Sequence, residues 1–330
     1  MRRVVIWSLG GTIASVGPAG TGAVPRLSAS ELVAGIPGLD TTAELVPIDR
    51  GTVPSSELGI DTVVEFYAGV REAVRAHGAD GVVVLQGTDT LEESAFVLDL
   101  LHAGDTPIVV TGAMRTADAP GADGPANIAA AVATAASSVA RGLGVLVVAN
   151  EEIHAARFVT KTHTSSTGTF TSPLTGRIGW SSEGRVRIAL RVPRGPVIEV
   201  APGTVIPPVA LVKLGIGADD RLLRHTIEEG YAGLVIEAFG GGHLPSALVP
   251  VLEAIAREMP VVLASRTFTG EVLRKTYGFP GSERDLLGRG LVAAGALDAL
   301  KVRVLLSLLL AVGSEPALAE TLDSYLTAAD

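Results

Sequence analysis

Four short segments carry side chains able to do chemistry, and each follows an apolar run or a glycine. In Ser8-Leu9-Gly10-Gly11-Thr12-Ile13-Ala14-Ser15, a hydroxyl comes directly after two glycines. Glycine permits a tight turn and close backbone approach. Thr12 therefore admits two readings. It is a nucleophile if a neighbour removes its proton, or the cap of a short helix. The spacing matches neither a dinucleotide-binding fingerprint nor a phosphate loop.

The second segment, Val82 to Ser94, ends its apolar run at Gly87 and continues Thr88-Asp89-Thr90. If both segments lie in one sheet, Thr88 and Asp89 face Thr12 across a shared crevice. Thr90, with Glu93 three positions on, reads as a capping box that needs no further role. The third segment runs from Val110 to Ile128, and Pro125 marks a first helical turn. Its Arg115, Asp123 and Asn127 read as an ion pair and cap that shape a loop. In the fourth, Phe158 to Thr164, Lys161 sits alone among hydroxyl residues. It is either a solvated surface lysine or, folded back over the strand ends, a partner for Thr88 and Asp89 suited to acid–base work.

The elements that must position these residues follow from periodicity. Strand-length apolar runs at Val4–Ser8, Val82–Gln86, Pro107–Thr111 and Gly144–Ala149 alternate with longer stretches of helical spacing at Asp61–His77, Leu91–Ala103 and Pro125–Arg141. That alternation predicts an α/β fold with a mainly parallel sheet flanked by helices. Ligands in such sheets bind at the carboxyl ends of strands. Thr160–Thr175, rich in Thr, Ser and Gly, reads as a polar loop or hairpin. Residues 191–208 contain five prolines and read as a linker between a domain at 1–190 and a second at 209–330. Strands at Val209–Leu214, Leu234–Ala238 and Val261–Ala264 and helices at Ser246–Arg257 and Leu300–Val312 build the second.

Composition bounds the function. The chain has 330 residues, enough for two cores, and a net charge of −9, which argues against a nucleic-acid or anionic-membrane partner. It has no cysteine, so disulfides, thiol nucleophiles and thiolate metal sites are excluded. The six histidines show no metal-ligand spacing, and no metalloprotease helix, calcium loop or serine elbow occurs. No metal and no cofactor is expected. No apolar run reaches membrane-spanning length, and the amino-terminal apolar stretch is too short for a signal-peptide core. A cytoplasmic location is expected.

The four segments in this order resemble the bacterial-type L-asparaginase family. G-G-T-I-A-S and G-T-D-T-L-E-E-S match its signatures, and T-G-A-M-R, A-D-G-P-A-N-I and V-T-K-T match the blocks that follow. In the second domain Gly240-Gly241-Gly242-His243-Leu244-Pro245, Ala264-Ser265-Arg266 and K-V-R-V-L-L resemble the family too. The resemblance implies a larger N-terminal domain holding the active site, a smaller C-terminal α/β domain, and homo-oligomers, dimers or tetramers, with sites at the dimer interface. It implies hydrolysis of asparagine through an acyl-enzyme on Thr12, with Thr88, Asp89 and Lys161 assisting proton transfer. Asp89 would also bind the substrate α-amino group and Ser55 its α-carboxylate. Ser56 falls where many members have glutamine. The Ala113 carbonyl would lie near the substrate amide, and Glu283 would reach a neighbour's substrate; simple surface exposure is the other reading of Glu283.

The sequence departs from the pattern at three places. Gly17–Arg26 contains no tyrosine where many secreted members have one that helps activate the nucleophile, so the acceptor of the Thr12 proton is left open. His243 stands where members often have asparagine, and Ser56 is shorter than glutamine. Two alternatives to asparagine hydrolysis therefore remain: an amidohydrolase for another amino-acid amide, such as glutamine, and a catalytically weak amino-acid-binding homologue.

Overall fold

Three strands of the chain, Gly-Val-Val-Val-Leu, Ile-Val-Val-Thr and Val-Leu-Val-Val-Ala, are buried at every position, as strands covered on both faces must be. A computed structural model of the protein describes residues 1–17, 22–49, 51 and 53–324, apart from the side chains of 315, 323 and 324. The chain divides into two compact units, Met1–Val197 and Ile198–Asp330. The division falls inside the proline-rich stretch 191–208, which carries no helix or strand.

Unit 1 begins with β1 (Arg3–Ser8), a short hairpin of β2 (Ser15–Val16) and β3 (Val24–Pro25), and α1 (Ala29–Ala34). It continues through β4 (Glu44–Asp49), α2 (Ile60–His77), β5 (Gly81–Leu85), α3 (Leu91–Leu101), β6 (Ile108–Thr111), α4 (Gly124–Ala136) and β7 (Val145–Ala149). Then come β8 (Glu152–Ala155), the pair β9 (Thr160–Lys161) and β10 (Phe170–Thr171), and β11 (Gly179–Ser182) with β12 (Arg185–Ile188). The main sheet has eight strands in the order β12-β11-β8-β7-β6-β5-β1-β4. Strands β4, β1, β5, β6 and β7 are parallel, and β8, β11 and β12 extend them antiparallel.

This order fixes where a site can form. The chain runs from β1 outward to β4, then crosses back to place β5 on the other side of β1. The connections after β1 and after β5 therefore leave opposite ways, which opens a crevice at the carboxyl ends of those two strands. The residues that follow are Gly10-Gly11-Thr12 and Gly87-Thr88-Asp89. Leu9 N–H donates to the Leu85 carbonyl at 2.9 Å and prolongs the pairing to the crevice edge. Helix α4 buries its alanine-rich face together with Val4, Ile6, Val83, Leu85 and Val109 from the sheet.

Unit 2 carries β13 (Val209–Lys213), α5 (Arg221–Glu228), β14 (Gly233–Ala238), α6 (Val249–Glu258), β15 (Val261–Ser265), α7 (Glu283–Gly288), β16 (Val292–Ala293), α8 (Ala299–Ala311) and α9 (Leu318–Ser324). Its four strands are parallel and in sequential order. The helix expected over Ser246–Arg257 is split: a 3-10 turn at Ser246–Leu248 precedes α6, with Pro250 in the first turn of α6. No helix among the described residues is long and apolar enough to cross a membrane.

The crevice depends on bare backbone. Gly11 has φ 93°, and a Cβ built on it would lie 2.2 Å from both Cα and N of Gly87. Gly11→Ala is therefore expected to cost about 2–5 kcal/mol, from the left-handed backbone strain and the overlap together. Urea unfolding of the two proteins measures it, and equal midpoints would show that the two strand ends do not meet as described.

Candidate active site

Thr12 opens a single 3-10 turn, Thr12–Ala14. The turn is closed by Ala14 N–H and Ser15 Oγ, which both donate to the Gly11 carbonyl, at 3.0 and 2.8 Å. Ile13 and Ala14 point into the core and are buried, while Thr12 is half-buried. Gly124, at the start of α4, lies against this turn. A Cβ there would meet the Ile13 side chain at 3.2 Å and the Ala113 Cβ at 3.6 Å. The turn is thus held from behind by packing.

On the neighbouring strand Thr88 is buried and the Asp89 side chain is 69% exposed. Their loop is tied down from two directions. The Gln86 amide donates to Ser94 Oγ at 2.9 Å, across the start of α3. From the other side Ser55 Oγ accepts the Asp89 N–H at 3.2 Å, and the Ser55 carbonyl accepts the Thr90 hydroxyl at 2.7 Å. Ser55 is buried in the 3-10 turn Ser55–Glu57, whereas Ser56 is exposed. Thr90 precedes α3 but makes no side-chain cap. The capping-box reading of Thr90 and Glu93 does not hold: Thr90 has φ −117° and ψ 15°, outside the extended backbone of a capping residue, and its hydroxyl donates to Ser55 instead.

Lys161 completes the cluster. Its Nζ lies 2.9 Å from Thr88 Oγ1 and 2.9 Å from Asp89 Oδ1, and its side chain is only 16% exposed. The ammonium donates to the buried hydroxyl while its charge is balanced by the exposed carboxylate. The solvated-surface reading of Lys161 does not fit that burial. Its own N–H donates to Oε2 of the buried Glu92 at 3.2 Å. Glu92 was not singled out from sequence. Its signal is a carboxylate in the first turn of a helix whose other positions are almost all buried.

The third wall is the turn after β6. Ala113 is buried there, and Gly112 allows the Gln86 carbonyl and the Thr88 methyl to approach. The Asn127 amide donates to the Gly112 carbonyl at 2.9 Å and its oxygen accepts the Asn150 N–H at 2.9 Å. Asp123 accepts the N–H groups of Met114 and Arg115, and the Arg115 guanidinium donates to the Gly121 carbonyl. The loop is shaped by these carboxylate–amide contacts in place of the expected Arg115–Asp123 ion pair. Pro18 to Thr21, within the tyrosine-free Gly17–Arg26 stretch, lie outside the described residues.

The structure therefore brings Thr12, Ser55, Thr88, Asp89, Ala113 and Lys161 to one end of one sheet. Among the described residues no group of three or more histidines and carboxylates is placed to hold a metal.

Residues 3–194 match the family model of the asparaginase N-terminal domain, and residues 208–322 that of the glutaminase/asparaginase C-terminal domain. The chain belongs to the asparaginase family. An L-asparaginase of Bacillus licheniformis is 32% identical over 315 residues, 94% of this chain and 96% of that protein. A component of the glutamyl-tRNA(Gln) amidotransferase of Methanosarcina acetivorans is 33% identical over 308 residues, 90% of this chain and 70% of its own length. Among solved structures, a probable cytoplasmic L-asparaginase from Campylobacter jejuni superposes with a TM-score of 0.87 at 28% identity. That match covers 98% of this chain and 99% of the other.

Glu283 differs from both expectations for this asparaginase-family chain. It is neither at the surface nor free to reach a neighbour's substrate, because it is fully buried in unit 2. Oε1 accepts the N–H groups of Thr276 and Tyr277 at 2.8 and 2.7 Å, and Oε2 lies 3.3 Å from His243 Nε2 without hydrogen-bond alignment. His243 in turn stands edge-on to Tyr277 and Phe279, with centroids 4.8 and 5.2 Å away. Burial pushes the Glu283 carboxyl up. The N–H groups of Tyr277, Glu283 itself and Thr276, with the His243 charge, outweigh that and leave it below the usual range. Folding thus gains from the charged form above the ordinary glutamate range and loses that gain as pH falls through the depressed folded value. Chemical unfolding of wild type and Glu283→Gln across the acid range is expected to show a wild-type advantage that shrinks on acidification. An advantage independent of pH contradicts it.

Proposed function

We propose that the protein hydrolyses the side-chain amide of L-asparagine to aspartate and ammonia through an acyl-enzyme on Thr12. The observation that carries this reading is the Lys161 ammonium, within 2.9 Å of both Thr88 Oγ1 and Asp89 Oδ1 on the strand end beside Thr12. Thr12 Oγ attacks the amide carbon, the carbon–nitrogen bond breaks, and the Thr12 proton leaves on ammonia. Water then cleaves the ester, releasing aspartate and returning the proton to Thr12. Thr88 and Lys161 form the hydrogen-bonded pair that relays these protons. Main-chain N–H groups beside Thr12 and Thr88 stabilise the developing oxyanion.

Recognition divides by charge. The exposed Asp89 carboxylate binds the substrate α-amino group, a charge-assisted contact. The Ser55 hydroxyl, whose oxygen already accepts the Asp89 N–H, retains its proton to donate to the α-carboxylate. Ser56 borders the same end, and the Ala113 carbonyl accepts from the substrate amide. A second reading, acceptance of a glutamine-derived amide, draws support from the amidotransferase relative and from the short side chain at Ser56. Ammonia release from a panel of amides separates the two.

A homo-oligomer, dimer or tetramer, is part of the proposal. It is supported by the aromatic residues that unit 2 leaves uncovered, Phe268 at 79% exposure and Tyr277 and Phe279 beside His243. A cytoplasmic location is supported by the Campylobacter jejuni neighbour.

Lys161→Met keeps the chain length and removes the amine. It is expected to lower kcat by ~10²–10⁴-fold with little change in KM, because Asp89 and Ser55 still hold the substrate. Lys213→Met, which removes an ammonium paired with Glu237 in unit 2, serves as the control and leaves turnover unchanged. A folded Lys161→Met enzyme with near-normal kcat overturns the assignment.

A further inference from the structure

Lys161 belongs to a strand of two residues. β9 and β10 pair antiparallel, Lys161 opposite Phe170 and Thr160 opposite Thr171. A hairpin of this size has little stability of its own, so the position of the ammonium depends on what ties the hairpin to the rigid sheet. One tie is the Lys161 N–H on Glu92. Another is on the opposite strand, where Ser172, the residue after β10 and its buried Phe170, places Oγ 2.9 Å from His154 Nδ1. His154 lies on β8, opposite Val147 of β7, inside the eight-stranded sheet. His154 is 1% exposed and Ser172 is 5% exposed.

We propose that the buried Ser172–His154 hydrogen bond is a positioning device for Lys161. The inference rests on the role of Lys161 in turnover proposed above. In neutral imidazole with its hydrogen on Nε2, Nδ1 accepts the Ser172 hydroxyl proton. With a hydrogen on Nδ1 the ring donates to Ser172 Oγ instead, so the contact is kept in either protonation state. Glu152 and Arg177 are the charged groups that face the ring. Glu152 Oε2 is 3.4 Å from Nε2 but is not aligned as a hydrogen bond, and its Oε1 is held by Arg177. Burial pushes the imidazole below its ordinary value. Glu152 opposes this and Arg177 adds to it, so the neutral form holds at neutral pH.

The test measures kcat and KM, with thermal midpoints, for wild type, Ser172→Ala, His154→Asn and Lys161→Met. Ser172→Ala removes one buried hydroxyl and is expected to lower kcat about 10- to 100-fold at constant KM while the protein stays folded, the scale of a misplaced catalytic group. His154→Asn keeps a polar acceptor near the Nδ1 position but cannot titrate. It is expected to hold most of kcat, because a hydrogen-bond partner for Ser172 Oγ remains. Wild-type kcat in Ser172→Ala, or a loss of kcat in folded His154→Asn as large as in Ser172→Ala, overturns the inference. So does a loss of kcat that only tracks the folded fraction. Lys161→Met separates the two levels: near-normal turnover there removes both readings. Lost turnover there with normal Ser172→Ala removes only this one.

Discussion

Two adjacent parallel strands end in glycines whose backbones touch, and the site is organised by that contact. With any side chain at Gly11 or Gly87, the ends of β1 and β5 would have to separate. A Cβ on Gly87 would also run into the Ser55 hydroxyl at 2.6 Å. The contact sits at the point where the strand order reverses, so the next residue on each strand, Thr12 and Thr88, emerges at the same crevice. Packing then supplies rigidity from below, through Ile13, Ala14 and the start of α4. Hydrogen bonds from Ser55, Gln86 and Asn127 fix the loops above.

Lys161 is supported differently. Thr12 and Thr88 stand on the turns that follow β1 and β5, buried in all but Arg3, whereas the lysine arrives on a minimal hairpin held by polar contacts and the buried Phe170. Individual polar contacts contribute only about 0.5–1.5 kcal/mol each. The Lys161 side of the crevice is thus the side more sensitive to the loss of one hydrogen bond. On the function proposed above, this separates a rigid nucleophile from an adjustable relay.

Much of this was legible in the sequence. The apolar runs marked β1, β5, β6 and β7 to within a residue or two, and the glycines after β1 and β5 marked the turns. The missed elements lacked such a signal. β4 reads Glu-Leu-Val-Pro-Ile-Asp, and Pro47 suits it only to a sheet edge, where it is found. β11 and β12 are short, half-exposed strands rich in Ser and Arg, joined at Glu183 and Gly184, which have φ values of 50° and 71°. Contacts distant in sequence were not legible either. Nothing near Thr90 announces that Ser55 will take its hydroxyl, and nothing near Glu283 announces that the backbone of Thr276 and Tyr277 will enclose its carboxylate. Local pattern states what a side chain can do, and the fold decides which partner reaches it first.

The central claim is that Thr12, and not the better-buried Thr88, takes the acyl group. Reaction of the wild-type protein with an electrophilic analogue of asparagine, followed by peptide mapping in a mass spectrometer, tests it directly. The account predicts a single covalent adduct on the peptide carrying Thr12. An adduct on Thr88 with Thr12 unmodified would contradict it.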